Sequence, residues 1–285
     1  MSVSTLDSVL STAPASTSVI TEPAAASAPP TVPSDIDPRG RAVVFIHAHP
    51  DDEAIFTAAT MRRLADRGAR VVLVTATGGE LGTPLCELAP GESLHARRVA
   101  ELEAAAEQLG VSRLVLLGRR DSGMAGWPSA RHPRAFARAR VDRLARRIAD
   151  IAVAEGAAAV VHYDSDGIYG HPDHVMVHRV GSLAARYAGV TDYEATVDRD
   201  HLCATPGKHL LDLATGRPGA YGRPGGEIPL RLRATEAELA AKRAAMLAHT
   251  SQIAPESLDV PDFAGAYGYE WYLRRGPIGL LDTLG

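Results

Sequence analysis

Two short strings concentrate side chains able to hold a metal and move protons: His49-Pro50-Asp51-Asp52-Glu53 and His171-Pro172-Asp173-His174. Imidazole and carboxylate are ordinary zinc ligands, and a site with three protein ligands keeps its fourth position for water. His49 and Asp52 stand three apart at an expected strand-to-helix turn, so both can converge on one ion, and His174, at the start of another helix, can supply the third ligand. Asp51 is then left free beside the metal. Zinc brings the pKa of its water toward neutrality, and an unliganded carboxylate can take a proton as that water attacks an amide carbon. His171 would face the other side of the carbonyl. Protonated, it would stabilise the oxyanion and deliver a proton to the leaving amine, with Asp173 orienting its ring and favouring the charged form. The chemistry is metal-assisted amide hydrolysis, with zinc as the expected cofactor, one per chain, and ferrous iron as the other candidate.

Each string also has a plainer reading. Carboxylates such as Asp51, Asp52 and Glu53 suit a helix N-terminus, and two histidines at HxxH spacing on an exposed turn need bind nothing. What favours ligation is that two such strings follow two different strands. His47, inside the first strand, reads as a hydrogen-bonded core residue; His95, His132, His178, His201, His209 and His249 read as structural or surface residues. Gly78-Gly79 fits neither GxGxxG nor GxxxxGK[ST], so it reads as a tight turn that lets backbone approach the site.

The elements that must position these strings follow from periodicity. Apolar, β-branched runs at 42–47, 71–75, 113–117 and 157–163 read as strands, and stretches at about 53–67, 93–109 and 134–155 as helices between them. Strands that are apolar throughout, separated by amphipathic helices, imply an α/β fold: a Rossmann-like, mostly parallel sheet with helices on both faces. In such sheets ligands bind at the carboxyl ends of the strands, which is where both His-Pro-Asp strings fall.

Composition narrows the class. A chain of 285 residues, 46% apolar, can bury a substantial core. With 30 Lys and Arg against 34 Asp and Glu, intermixed along the chain, there is no basic stripe for nucleic acid. Cys86 and Cys203 stand alone, which suggests neither a disulfide framework nor a thiolate zinc site and fits a reduced cytoplasm. Residues 1–40, rich in Ser, Thr, Ala and Pro, read as a disordered tail without the charged and apolar regions of an export signal. The sequence carries no apolar run of membrane-spanning length and no internal repeat. The domain expected to do the work is 41–285, acting on a small molecule; oligomeric state is not legible.

The motif AHPDDE after the first strand, with HPDH after the fourth, resembles the signature of the LmbE/PIG-L family of zinc-dependent N-deacetylases. The similarity extends to Arg98-x-x-Glu101-Leu, to RDSGMAG at 120–126 and to YDSDGIYGHPDHV at 163–175, which are similar to the actinobacterial deacetylases of mycothiol biosynthesis; AKRAAMLAHTSQ at 241–252 resembles the family's C-terminal helix. The resemblance implies zinc ligation by His49, Asp52 and His174, Asp51 as general base and His171 as transition-state stabiliser. It also implies Arg98 and Asp121 as substrate-gripping residues and Tyr169 as a mobile tyrosine near the reacting carbonyl. The implied substrate is an N-acyl amino sugar, an N-acetylglucosaminyl small molecule. The alternatives are the same chemistry on an antibiotic, another secondary metabolite or a thiol conjugate, and a non-catalytic sugar-binding module. Two departures stand out. Ala54-Ile55-Phe56-Thr57 replaces the smaller or polar residues usual after the acidic motif, and 190–235 matches no part of the pattern.

Overall fold

The computed structural model describes residues 36–285. The expected disordered tail, apart from 36–40, lies outside the described residues. Seven strands form one sheet: β1 (Ala42–His47), β2 (Arg70–Thr77), β3 (Val111–Arg119), β4 (Ala157–Tyr163), β5 (Thr191–Thr196), β6 (Leu230–Arg233) and β7 (Tyr269–Arg275), in the order β3-β2-β1-β4-β5-β7-β6. The pairs from β3 to β5 are parallel; β7 runs antiparallel to β5, and β6 antiparallel to β7. The helices are α1 (Asp52–Phe56), α2 (Ala58–Asp66), α3 (Leu94–Leu109), α4 (Val141–Ala154), α5 (Gly167–Gly170), α6 (Pro172–Ala188), α7 (Arg199–Ala204), α8 (Leu210–Thr215), α9 (Glu236–Ala248) and α10 (Phe263–Tyr267). The mostly parallel α/β sheet expected from the alternation is thus the fold observed.

Every residue of β1 is buried, as a central strand covered on both faces requires. Helices α2, α3 and α9 contact one another in one layer, and α4 contacts α6 in another. The chain runs β1, β2, β3 outward and then returns to place β4 on the other flank of β1. That reversal is the topological switch point, where the crevice outside the strand ends is open to a ligand.

Local departures from the periodic reading have local causes. The single helix expected over 53–67 is broken at Thr57, whose φ of −139° leaves the helical region and whose hydroxyl bonds His47 Nε2 at 2.8 Å. The helix expected from 134 begins at Val141, because the preceding segment, with Pro128 and Pro133, forms 3-10 turns at Pro128–Arg131 and Phe136–Arg138, and Phe136 N–H pairs with Arg120 O. Strand β3 lies at the sheet edge and buries only Leu117, so it is not covered on both faces as its apolar sequence suggests. Helix α3 begins at an accepting Ser93 side chain and ends at Gly110 in the left-handed region.

The unmatched stretch 190–235 folds into β5, α7, α8 and β6. Strand β5 escaped the apolar reading because it buries Asp192 and Glu194, which are paired instead of apolar: Asp192 Oδ1 with His162 Nε2 at 2.6 Å, and Glu194 Oε1 with Arg275 Nε at 3.1 Å. Among the described residues no helix is long and apolar enough to cross a membrane.

Candidate active site

The ends of β1 and β4 bring the two His-Pro-Asp strings together. After β1 the chain turns sharply, with Asp51 at φ 116°, a conformation a non-glycine residue holds only when its surroundings impose it. Glu53 imposes it: its Oε2 accepts Asp51 N–H at 3.0 Å while its Oε1 meets His249 Nε2 at 2.5 Å, and both side chains are fully buried. After β4, Asp164 Oδ1 accepts the N–H groups of Asp166 and Ile168 and its Oδ2 accepts the Thr196 hydroxyl. These bonds hold a tight turn in which Ile168 also has positive φ, and Gly167 is required, since a Cβ there would sit 2.6 Å from Val175 N. The turn delivers Tyr169 and then His171, the N-cap of α6, with Pro172 at its first position.

His49 is the hub. Its Nδ1 lies 3.5 Å from Asp52 Oδ2, and Asp52 Oδ1 lies 3.4 Å from His174 Nε2. Zinc–donor bonds of about 2.0–2.1 Å make the edges of a tetrahedron roughly 3.3–3.4 Å, so these separations suit ligands of one ion. On its other side His49 Nε2 meets Asp173 Oδ2 at 3.3 Å and Asp121 Oδ1 at 3.7 Å. A carboxylate behind the distal nitrogen of a histidine fixes its tautomer and leaves the other nitrogen free to bind metal. Donor atoms of His49, His171 and His174 also lie within 4.8 Å of one another, as do those of His49, Asp121 and Asp173. All these side chains are buried, and among the described residues His174 Nδ1 and Asp173 Oδ1 have no hydrogen-bond partner. A buried set of imidazoles and carboxylates with donor atoms this close together fits a divalent cation of the zinc or ferrous type.

The charges are strongly coupled. Burial works against ionisation of Asp52, but His174 and His49 outweigh it and hold its carboxyl well below the usual range. Burial likewise opposes protonation of His49, and Asp173, Asp52 and Asp121 overcome it, raising this imidazole well above its ordinary value. A cation among these groups competes with that proton. Asp51 is pushed up to about 6, chiefly by burial, with Arg98 pulling the other way. His171 is pushed down to about 2 by burial and by the neighbouring His49 and His174.

Three expected roles acquire a different geometry. The carboxylate of Asp173 does not orient His171; it accepts Ser122 N–H at 3.0 Å and faces His49, and it is the Asp173 backbone N–H that donates to His171 Nδ1 at 3.2 Å. Neutral His171 therefore carries its proton on Nε2, a donor even without the positive charge. Arg98 is buried, with its Nη groups directed to Gly79 O at 2.7 Å, to Pro50 O and to Asp51 Oδ2 at 3.0 Å, so it grips Asp51 as well as bordering the cleft. A Cβ on Gly79 would collide with that guanidinium, which explains the glycine turn. Asp121 accepts Gly123 N–H at 2.8 Å and Leu81 N–H at 3.2 Å while still lining the cleft. Tyr169 reaches the centre, its hydroxyl 3.4 Å from His174 Nε2, and burial keeps that hydroxyl protonated. His47 is the core residue expected, bonded to the hydroxyls of Tyr163 and Thr57.

The Glu53–His249 pair escaped the reading of the motifs, although His249 and Gln252 lie in the segment resembling the family's C-terminal helix. Two cavities meet at the centre. One, of about 500 Å³, is bordered by His49, Arg98, Asp121, His171 and Trp127. The other, of about 490 Å³, is bordered largely by apolar side chains from α1, α8 and the segment 252–257.

Comparison with known proteins bears on this arrangement. Residues 44–185 match the PIG-L family, described as GlcNAc-PI de-N-acetylase. The chain is 38% identical to a 1D-myo-inositol 2-acetamido-2-deoxy-alpha-D-glucopyranoside deacetylase of Thermomonospora curvata, over 86% of this chain and 93% of the relative. It is 39% identical to the protein of the same name from Acidothermus cellulolyticus, over 83% and 89% of the two chains. In three dimensions it is similar to the N,N'-diacetylchitobiose deacetylase of Pyrococcus horikoshii, with a TM-score of 0.53 at 21% identity, covering 82% of this chain and 84% of that one. It is also similar to a deacetylase of teicoplanin biosynthesis in complex with teicoplanin, with a TM-score of 0.56 at 20% identity, covering 83% of this chain and all of the other.

Proposed function

The chain belongs to the PIG-L family of de-N-acetylases, and from that premise we propose that it hydrolyses the N-acyl amide of a glucosaminyl-containing small molecule, with a divalent metal, zinc by preference, held by His49, Asp52 and His174. The observation that carries this reading is the convergence of two sequence-distant strings, Asp52 lying 3.5 Å from His49 and 3.4 Å from His174, with Asp51 beside them and unengaged in the set. A metal held there supplies Lewis acidity to the amide carbonyl and acidity to a water.

The protein groups supply the rest. Asp51, with its carboxyl near 6, is a carboxylate at neutral pH and close enough to that pH to take a proton and give it back. Arg98 holds Asp51 Oδ2, so the other oxygen is the one free for a water. His171, with its proton on Nε2, donates to the oxygen on which negative charge develops. Tyr169, a neutral phenol, adds a second donor over the centre. Asp121 and the rim of the polar cavity offer acceptors to sugar hydroxyls.

Acetate release from N-acetylglucosaminyl glycosides and from simple N-acetyl amino acids, each with and without chelator, tests the assignment. Turnover of the glycosides that is lost with chelator and restored by zinc is expected. Equal turnover of both substrate classes would refute the sugar reading, and full activity in chelator would refute the metal.

A further inference from the structure

Resting on that reading, we propose that the preferred substrate carries an N-acyl chain several carbons longer than acetyl, lodged in the apolar cavity beside the catalytic carboxylates. The two cavities share Asp51, Asp52, Tyr169, Leu213, Ala214 and Gln252, so a scissile amide placed at the carboxylates has one cavity on each side. The polar cavity alone is bordered by His171, Arg98 and Asp121. These donors and acceptors suit sugar hydroxyls, which the apolar cavity cannot satisfy, so the amine and its sugar occupy that side. The acyl group must then extend the other way.

What it meets there is apolar. Ile55 and Phe56 come from α1, Leu211 from α8 and Ile253 from the segment after α9, and Phe56, Leu211 and Ile253 are themselves almost fully buried, so the walls are packed in place. Leu85 and Leu213 stand at the rim, 57% and 59% exposed, among the few large apolar side chains left in water among the described residues. An acetyl methyl would leave most of a 490 Å³ cavity to water against apolar walls, whereas a longer chain removes both surfaces from water. Phe56 stands in the segment that departs from the family pattern, and α8 lies beyond the family match at 44–185. In the reaction, water adds its oxygen to the acyl carbon and gives a proton to Asp51, the C–N bond breaks, and the amine nitrogen takes that proton from Asp51, releasing the carboxylic acid and the free amino sugar.

The test is kcat/KM for one glucosaminide bearing acetyl, butyryl, hexanoyl or octanoyl on nitrogen, measured for the parent enzyme and for Leu85→Asp, a rim substitution that borders the apolar cavity and not the polar one, at a position exposed enough to tolerate it. Each methylene should raise kcat/KM by about two- to fourfold until the cavity is filled, fourfold corresponding to about 0.8 kcal/mol, and Leu85→Asp should flatten the series. A flat or falling series in the parent overturns the inference while leaving the deacetylase intact, and a Leu85→Asp enzyme with the parent's slope overturns the location. Failure to turn over any member overturns the amino-sugar reading and this inference together.

Discussion

Asp173 Oδ2 sits 3.3 Å from His49 Nε2, so the second His-Pro-Asp string serves the first: a carboxylate at the start of α6 backs the imidazole at the end of β1. The same oxygen accepts Ser122 N–H, which ties the loop after β3 to this pair.

Asp173→Asn should therefore act through His49. Losing the charge behind a metal-binding histidine typically costs 10- to 100-fold in metal affinity. A competing-chelator titration should show a loss of that size; unchanged affinity would detach Asp173 from His49.

The roles of neighbouring carboxylates should separate. Ala at His49, Asp52 or His174 should abolish metal binding, whereas Asp51→Asn should retain the metal and lose kcat by about 10²- to 10⁴-fold, the usual contribution of a general base. Elemental analysis beside kinetics decides it: metal retained by all three Ala variants, or a fully active Asp51→Asn, would sink the assignment.

Arg98 lowers the Asp51 pKa against the effect of burial. Arg98→Gln removes that positive charge, so Asp51 should bind its proton more tightly and the acid limb of the kcat/KM profile should move to higher pH. A limb that stays put, or moves down, would mean that Asp51 is not the group it reports.

Acid should unfold the protein partly through His209. Its Nδ1 accepts Leu211 N–H at 3.1 Å to cap α8, its ring stacks on Tyr267, and burial, with Lys242 nearby, pushes its pKa down to about 3. Between the unfolded value of about 6.5 and that folded value, only the unfolded chain binds the proton, so stability falls as pH falls through this window. The slope from this one residue approaches about 1.4 kcal/mol per pH unit. His209→Asn keeps a cap without the titration, and denaturant melts from pH 7 to 4 should show a shallower acid dependence; identical slopes would refute it.

Much of the site could be read in the chain because its signals are local. A parallel strand covered on both faces is usually rich in apolar residues, as Ala42–His47 and Ala157–Tyr163 are, and the residues beyond the ends of such strands are the ones a ligand meets, so the ligand types at 49–53 and 171–174 and their strand-end placement were legible in order along the sequence. The helix that starts after Ser93 and stops at Gly110 was legible for the same reason, since caps act within a few residues. Tertiary structure alone decided which groups face each other. The return of β4 to the free flank of β1 makes the two strings neighbours, turns Asp173 toward His49 instead of His171, and aims Arg98 at Asp51. It also buries Asp192 and Glu194 in a strand that no apolar period marks, and brings α8 and the segment 252–257 against α1 to wall the apolar cavity. Those outcomes depend on partners far apart in the chain, such as Glu53 with His249. A buried charge is tolerated only where such a partner arrives, and neither period nor spacing at the residue itself records which one it will be.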